Sequence, residues 1–269
     1  MPSDQIVTMR EGSSGSLILI HAIAGMVSSY GNLARAAPRD VKVVALEAPK
    51  DLRPLAEATT ITDIADYYAK VLFDVQLPQP LRIGGWCVGG DLALRVAQKL
   101  AREGGRIEAV FGIDSRVDAS RRPGVLGYAE DGDPFLWRFF SEIMASNEIR
   151  DQLLATDEFW TASDSERVEM IFTAREIQTS LLPIKRHDNR TWQVDFIRLF
   201  LEVARQAAPL DDVFERVIWS ASSSSSATAL SDLSLIKAKS IDVLLQDTDH
   251  RGLLGKPYIS DLISRVFRS

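Results

Sequence analysis

The chain has 269 residues, of which 46% are hydrophobic, and a formal net charge of -6 at pH 7. This length and composition allow one α/β domain with an insertion and a sizeable buried core. The interspersed charges argue against a nucleic-acid-binding surface, and no run of about 18 apolar residues could span a membrane. Because residues 1–16 also lack the apolar stretch of a signal peptide, we expect a cytoplasmic protein that binds neither nucleic acid nor membrane.

Strands and helices are predicted to alternate through the first part of the chain. Continuous apolar runs predict strands at 17–20, 41–46, 81–83 and 107–113. Helical spacing of apolar residues predicts helices at about 30–37, 62–77 and 91–100. This alternation is typical of a mostly parallel sheet with helices on both faces.

The alternation of strands and helices stops beyond residue 115. Helices without intervening strands are predicted at 135–149, 163–182 and 191–208. We interpret 116–209 as a helical lid inserted over the active edge of a single domain, whose core is formed by 1–115 and 210–269. In the core, further strands are predicted at 216–220 and 241–245 and a closing helix at 258–267. The five-serine run 222–226 predicts a mobile loop between the last two strands.

The most informative segment is 85–89, which reads Gly-Trp-Cys-Val-Gly. The pattern glycine-x-nucleophile-x-glycine, placed between a strand and a helix, is typical of an elbow that lifts the nucleophile clear of the sheet. Cys87 is the only cysteine of the chain, so it cannot form an internal disulfide. We predict that Cys87 is a nucleophile, with a buried structural cysteine as the alternative. One cysteine and three widely separated histidines predict no metal site.

A thiol of ordinary pKa is only a few per cent ionised at pH 7, so a nucleophilic cysteine needs a base or a positive neighbour. His250 follows the last predicted strand, where the order nucleophile, acid, histidine places the base. We predict that His250 is the base. His21 ends the first predicted strand and His187 lies in the insertion, and we expect structural or solvent-exposed roles for both.

Asp114 is the predicted acid. It ends the strand that follows the elbow helix, whereas the loop after the later strand is serine-rich and offers no carboxylate. A carboxylate there could accept the Nδ1 proton of His250 and stabilise the imidazolium. Asp232 is a weaker alternative, and Asp247 and Asp249 are expected to be surface or loop-anchoring residues.

Charge that develops on a tetrahedral intermediate needs donors held in place beforehand. The backbone N–H of Val88, at the start of the elbow helix, is one predicted donor. The second should come from the loop after the first strand, and Ile23 is chosen over Ala22 and Ala24.

These segments together resemble the thioesterase domains that terminate nonribosomal peptide and polyketide synthetases. The resemblance runs almost end to end, through the segments 21–25, 30–34, 84–86, 113–115 and 249–250 and the helical lid. It implies an α/β-hydrolase fold with a helical lid. In that family the acid follows the strand after the elbow helix, in agreement with Asp114.

The resemblance implies that a carrier protein delivers an acyl or peptidyl chain on its phosphopantetheine arm, with no cofactor bound by the chain itself. Cys87 would take the acyl chain, and the lid would shape its release. Two departures are visible: Ala22 stands where the family usually has proline, and Cys87 replaces the usual serine. Transfer to a thiol exchanges one thioester for another, so the acyl group stays activated, and cysteine members are associated with β-lactone or β-lactam release. We therefore expect intramolecular cyclisation, with hydrolysis as the plainer alternative.

Three other functions remain open at this point. A freestanding type II editing thioesterase would share nearly all of these motifs. Dienelactone hydrolase also has a cysteine elbow, although its acid follows the later strand and it lacks so long a lid. A carrier-docking module inactivated at Cys87 is the non-enzymatic alternative.

Overall fold

A seven-stranded sheet forms the centre of the computed structural model, which describes residues 4–117, 129–144, 147–179, 191–206, 210, 212–225 and 231–268. The spatial order of the strands is β1-β3-β2-β4-β5-β6-β7. β1 runs antiparallel to β3, and every other neighbouring pair is parallel. Their bounds are β1 Ile6–Arg10, β2 Ser16–Ile20, β3 Lys42–Leu46, β4 Leu81–Trp86, β5 Ile107–Ile113, β6 Val213–Ser222 and β7 Lys237–Gln246.

Helices cover the sheet and form the insertion. Those of the core are α1 (Gly31–Ala36), α2 (Ile61–Phe73), α3 (Val88–Arg102) and α9 (Lys256–Val266). Those between β5 and β6 are α4 (Asp133–Met144), α5 (Asn147–Leu154), α6 (Asp157–Thr161), α7 (Asp164–Thr179) and α8 (Thr191–Val203). None of the helices within the described ranges combines the length and apolar character needed to cross a membrane.

Both faces of the sheet are buried at its central strands, as their continuous apolar runs predict. All five residues of β2 are buried, and its four apolar residues alternate between two hydrophobic clusters. Ile18 and Ile20 belong to the cluster that also contains residues of α2, α3 and α8. Leu17 and Leu19 face the opposite cluster, which contains residues of α1 and α9. The fold prediction of an α/β sheet layered between helices is confirmed.

The element boundaries differ from the predictions where local backbone conformation decides them. α2 ends at Phe73, before the predicted end at 77, and Gln76 adopts a positive φ of 49° that an α-helix cannot contain. β1, an antiparallel edge strand, and the short helix α6 were not predicted. β6 extends to Ser222, so the serine run begins inside a strand and the loop prediction is wrong at that residue.

The insertion contacts the core through α8. The ring of Phe196 lies edge-on to His21, with centroids 5.1 Å apart, and the Gln193 side chain donates to the carbonyl of Ala24 at 3.1 Å. α8 therefore packs on the loop that follows β2. The lid boundaries stay a prediction, and residues 118–128, 145–146, 180–190 and 207–209, with the predicted position of His187, lie outside the described residues.

Candidate active site

Cys87 occupies the sharp turn between β4 and α3. Its φ of 60° and ψ of -120° are rare for any residue other than glycine, and such outliers cluster at functional sites. The Cys87 N–H donates to the carbonyl of Ile113 at 2.9 Å, and the Cys87 carbonyl accepts a hydrogen bond from the Ser115 hydroxyl. The carboxyl end of β5 therefore holds the turn in its strained conformation.

The two glycines of the motif are required by close approach of the backbone. A Cβ on Gly85 would lie 2.5 Å from the carbonyl carbon of Gly89. A Cβ on Gly89 would lie 2.4 Å from the carbonyl oxygen of Ile20. Since real Cβ atoms do not approach backbone so closely, only glycine allows α3 to begin directly against the ends of β4 and β2.

The structure brings Cys87, His250 and Asp114 together at the carboxyl edge of the sheet. His250 follows β7, and its Nδ1 lies 2.6 Å from Oδ2 of Asp114, which directly follows β5. The His250 ring also shares a side-chain hydrogen bond with Cys87. Because Nδ1 faces the carboxylate, the Nε2 atom is the one available to the thiol. This is the geometry of a nucleophile, a base and an orienting acid.

Each of these groups stabilises the charged form of its neighbour. Burial lowers the pKa of His250, but hydrogen bonds and charge from Asp114 and Cys87 outweigh it and raise that pKa to about 9. Burial raises the pKa of Asp114, yet hydrogen bonds from His250, Ser225 and Ser222 bring it down to about 2. At pH 7 an imidazolium therefore lies between a carboxylate and the cysteine sulfur. A positive neighbour of this kind favours the thiolate.

Two serines of the predicted mobile loop, Ser222 and Ser225, hold the Asp114 carboxylate, a binding role that the serine-rich composition did not predict. The Ser222 N–H donates to Oδ1 at 2.9 Å, and the Ser222 hydroxyl lies 3.0 and 3.1 Å from the two carboxylate oxygens. The Ser225 hydroxyl also donates to Oδ1 and lies 2.9 Å from that of Ser222. β6 is the neighbour of β5, which places the first serines of the run at the acid. Their position directly after a core strand was the signal that could have identified them.

Two of the other candidate carboxylates have structural partners. Asp232 is 1% exposed, forms an ion pair with Arg116 at 2.6 Å and accepts the N–H of Val117 at 3.2 Å. Asp249 accepts the N–H of Gly252 at 2.6 Å and so anchors its loop. Since the end of β6 carries serines where dienelactone hydrolase would place its acid, that alternative loses support.

His21 is buried within the core beside the loop after β2. Its Nε2 lies 2.6 Å from the Tyr68 hydroxyl and its Nδ1 lies 2.7 Å from the carbonyl oxygen of Ala22. Burial lowers the pKa of His21 to about 4, more than the backbone contact raises it, so the ring is neutral at pH 7. Its surroundings fit the expected structural role.

The two predicted oxyanion donors lie on neighbouring segments. Val88 is the first residue of α3, whose first-turn N–H groups have no acceptor within the helix. Ile23 lies in the loop after β2, and that loop touches α3: a Cβ on Gly89 would lie 2.8 Å from the carbonyl oxygen of His21. The roles of Val88 and Ile23 stay predictions. Within the described ranges, no three His, Cys, Asp or Glu side chains cluster so as to hold a metal ion.

Comparison with known sequences places this chain in a family. The family model described as Thioesterase domain matches residues 16–192, more than half of the chain. The non-reducing polyketide synthase terA of Aspergillus terreus is 36% identical over 111 residues, which are 41% of this chain and 5% of that synthase. Enterobactin synthase component F of Escherichia coli K12 is 22% identical over 115 residues, 43% of this chain and 9% of that protein. The chain thus matches less than a tenth of the length of either relative.

Solved structures share the fold over nearly the whole chain. The NocB thioesterase domain from the nocardicin cluster has a TM-score of 0.62 and 19% identity, covering 98% of this chain and 99% of that one. A four-domain nonribosomal peptide synthetase bound to AMP and glycine has a TM-score of 0.75 and 18% identity, covering 97% of this chain and 20% of that one. At these identities the likeness shows the fold alone. With the family match over 16–192, it follows that this chain belongs to the thioesterase domain family.

Proposed function

We propose that the protein releases an acyl or peptidyl chain from the phosphopantetheine thioester of a carrier protein, with Cys87 as the nucleophile. The hydrogen-bonded series from Cys87 through His250 to Asp114 is the observation that carries this proposal. Membership of the thioesterase domain family supports it. The relatives that are themselves polyketide and enterobactin synthases also support the proposal.

The first step is transfer of the acyl chain to the enzyme. The Cys87 thiolate attacks the thioester carbonyl carbon, a C–S bond forms, and the carbonyl oxygen becomes an oxyanion facing the N–H groups of Val88 and Ile23. The intermediate then collapses, the C–S bond to pantetheine breaks, and His250 gives its Nε2 proton to the leaving sulfur. Phosphopantetheine enters as part of the substrate, so this chemistry needs only the protein's own groups.

The second step frees the acyl chain from Cys87. His250 is now neutral and accepts a proton from the incoming nucleophile, which attacks the acyl carbon. The bond to sulfur breaks and the thiolate is restored. We propose that this nucleophile is an amine or hydroxyl of the acyl chain itself, so that release closes a ring, with a four-membered β-lactam or β-lactone as the specific form.

The choice of cysteine supports cyclisation. Thioester exchange keeps the acyl group as activated on the enzyme as it was on the carrier, whereas an ester on serine would lose that activation. A strained ring needs an activated donor.

Intact mass spectrometry with acyl- and peptidyl-pantetheine thioesters tests the proposal. We expect an adduct on Cys87 that resolves into a product one water lighter than the free acid, and no adduct in Cys87→Ala. Iodoacetamide should label Cys87 rapidly at pH 7 and slowly in His250→Ala.

Two outcomes would count against the proposal, at different levels. Unchanged turnover in Cys87→Ala would remove Cys87 as nucleophile and require another release chemistry, whereas neither adduct nor turnover in the wild type would leave the inactive docking module. Release of free acid only, at a rate unchanged by Cys87→Ser, would keep the thioesterase and exclude ring closure.

A further inference from the structure

Trp86 makes two separate contacts with His250. It is the last residue of β4 and directly precedes Cys87. Its indole lies against the imidazole of His250, with ring centroids 4.6 Å apart and planes inclined by 31°. The same indole donates its Nε1–H to the backbone carbonyl of His250 at 3.1 Å. One side chain therefore contacts both the ring and the backbone of a residue far away in sequence.

The backbone of Trp86 is itself held in place. Its N–H donates to the hydroxyl of Tyr30 at 2.8 Å, and that hydroxyl donates to the carbonyl of Ile20 at 2.5 Å. Tyr30 is fully buried. The indole thus rests on a support tied to the ends of β2 and β4, the same strand ends that meet the nucleophile elbow.

The partners of the imidazole constrain it in different directions. Asp114 hydrogen-bonds the ring through Nδ1, which leaves Nε2 for the hydrogen bond with Cys87, and both nitrogens form their hydrogen bonds at the edge of the ring. Neither contact prevents the ring from tilting about the axis that joins them. Trp86 lies against one face and opposes that tilt, which matters because the His250 side chain is 42% exposed.

We propose that Trp86 is a positioning residue for His250, holding the imidazole in line with Cys87 and Asp114 and favouring its protonated form. This inference rests on the function proposed above. The face of an indole carries a negative potential that attracts a cation, and tryptophan has the strongest such attraction among the aromatic side chains. The neutral ring gains only the stacking contact. Trp86 therefore stabilises the imidazolium more than the imidazole.

The titratable and charged groups around His250 have known places. Asp114 and Cys87 hydrogen-bond its ring, the Tyr30 hydroxyl accepts the Trp86 N–H, and three charged residues belong to the His250 loop: Asp247, Asp249, which accepts the Gly252 N–H, and Arg251. Substitution of Trp86 leaves all six in the chain. A change in the titration midpoint of His250 therefore reports the loss of the indole.

Titration of His250 by NMR, without substrate, tests the inference independently of the proposed reaction. The chain has three histidines, and His250→Ala assigns the signal. We expect Trp86→Leu to lower the titration midpoint by about half a pH unit, from the size of an exposed cation–π contact. Trp86→Phe should lower the midpoint much less, because it retains an aromatic ring.

Matched controls separate the effect of the contact between the Trp86 and His250 rings from general effects of substitution. Trp160 also donates its indole N–H to a backbone carbonyl, that of Leu154 at 2.9 Å, so Trp160→Leu removes a comparable side chain within the lid. It should leave the His250 midpoint unchanged. Replacing all tryptophans with mono-, di- and trifluorotryptophan weakens the ring potential with little change in shape. The midpoint should fall stepwise in the wild type and stay constant in Trp86→Phe.

A His250 midpoint in Trp86→Leu within a tenth of a pH unit of the wild type would overturn the inference. So would a fluorination series that leaves the wild-type midpoint unchanged, and this series decides the matter if Trp86→Leu fails to fold. A wild-type protein that releases no acyl chain, although the titration shifts of the Trp86 variants are as expected, would instead refute the proposed function and leave the Trp86 contact standing.

Discussion

Replacing Asp114 with asparagine should disable His250 by fixing the wrong tautomer. In the wild type, Oδ1 of Asp114 accepts the Ser222 N–H at 2.9 Å and the Ser225 hydroxyl, and Oδ2 faces Nδ1 of His250 at 2.6 Å. An amide has only one oxygen. If that oxygen stays with the serine donors, the NH₂ group faces Nδ1, which must then accept. The imidazole proton moves to Nε2, and His250 cannot take a proton from Cys87.

The wrong tautomer of His250 sets the expected loss of acyl transfer, and the smaller thiolate fraction of Cys87 sets the expected loss of labelling. The corresponding change in a serine triad lowers kcat about 10⁴-fold, and we expect a loss of about 10³- to 10⁴-fold in acyl transfer from a pantetheine thioester. Iodoacetamide labelling of Cys87 at pH 7 should fall about thirtyfold, towards a thiol of ordinary pKa. Asp249→Asn is the control, because the amide oxygen can still accept the Gly252 N–H that Asp249 binds at 2.6 Å. It should leave both rates nearly unchanged.

The pH profile gives an independent check. The pKa of His250 is raised to about 9, so the proton it donates to the leaving sulfur is present at neutral pH and is lost as the pH rises through about 9. The kcat/KM for acyl transfer in the wild type should fall over that range. In Asp114→Asn the fall should occur at lower pH, since the carboxylate no longer raises the pKa of His250. Activity within tenfold of the wild type, with an unchanged profile, would refute this reasoning.

Two further predictions concern the supports of the site. Ser222→Ala removes the hydroxyl that bonds both oxygens of Asp114, and the free energy of unfolding should fall by about 1.5 to 3 kcal/mol in denaturant titrations; an unchanged value would contradict the serine support. Gly89→Ala would place a Cβ 2.4 Å from the Ile20 carbonyl oxygen, so it should lower the free energy of unfolding by about 3 kcal/mol, the upper end of the usual cost of overpacking. Gly31→Ala is its control: the nearest atom is 3.7 Å away and the residue is helical, so thermal unfolding should show stabilisation by about 0.4 to 1 kcal/mol. Equal behaviour of the two glycine variants would show that close approach is not what requires glycine at the elbow.

The sequence by itself determined the features that depend on local pattern. Apolar periodicity located the core strands and helices, and the spacing of Gly85, Cys87 and Gly89 located the elbow, because each depends on residues near one another in the chain. Order along the chain also led to Asp114 and His250, since parallel strands bring their carboxyl ends to one edge. The structure places these two side chains 2.6 Å apart.

Only the tertiary structure decided which side chains support that arrangement. The contacts of Ser222 and Ser225 with Asp114, and of Trp86 with His250, join residues more than a hundred positions apart. Neither serine composition nor a single tryptophan predicts such a partner. The pairing of β1 with β3 and the ion pair of Asp232 were likewise beyond local pattern. In each case the partner is set by strand order and by the directions in which neighbouring strands end, which exist only once the sheet has formed.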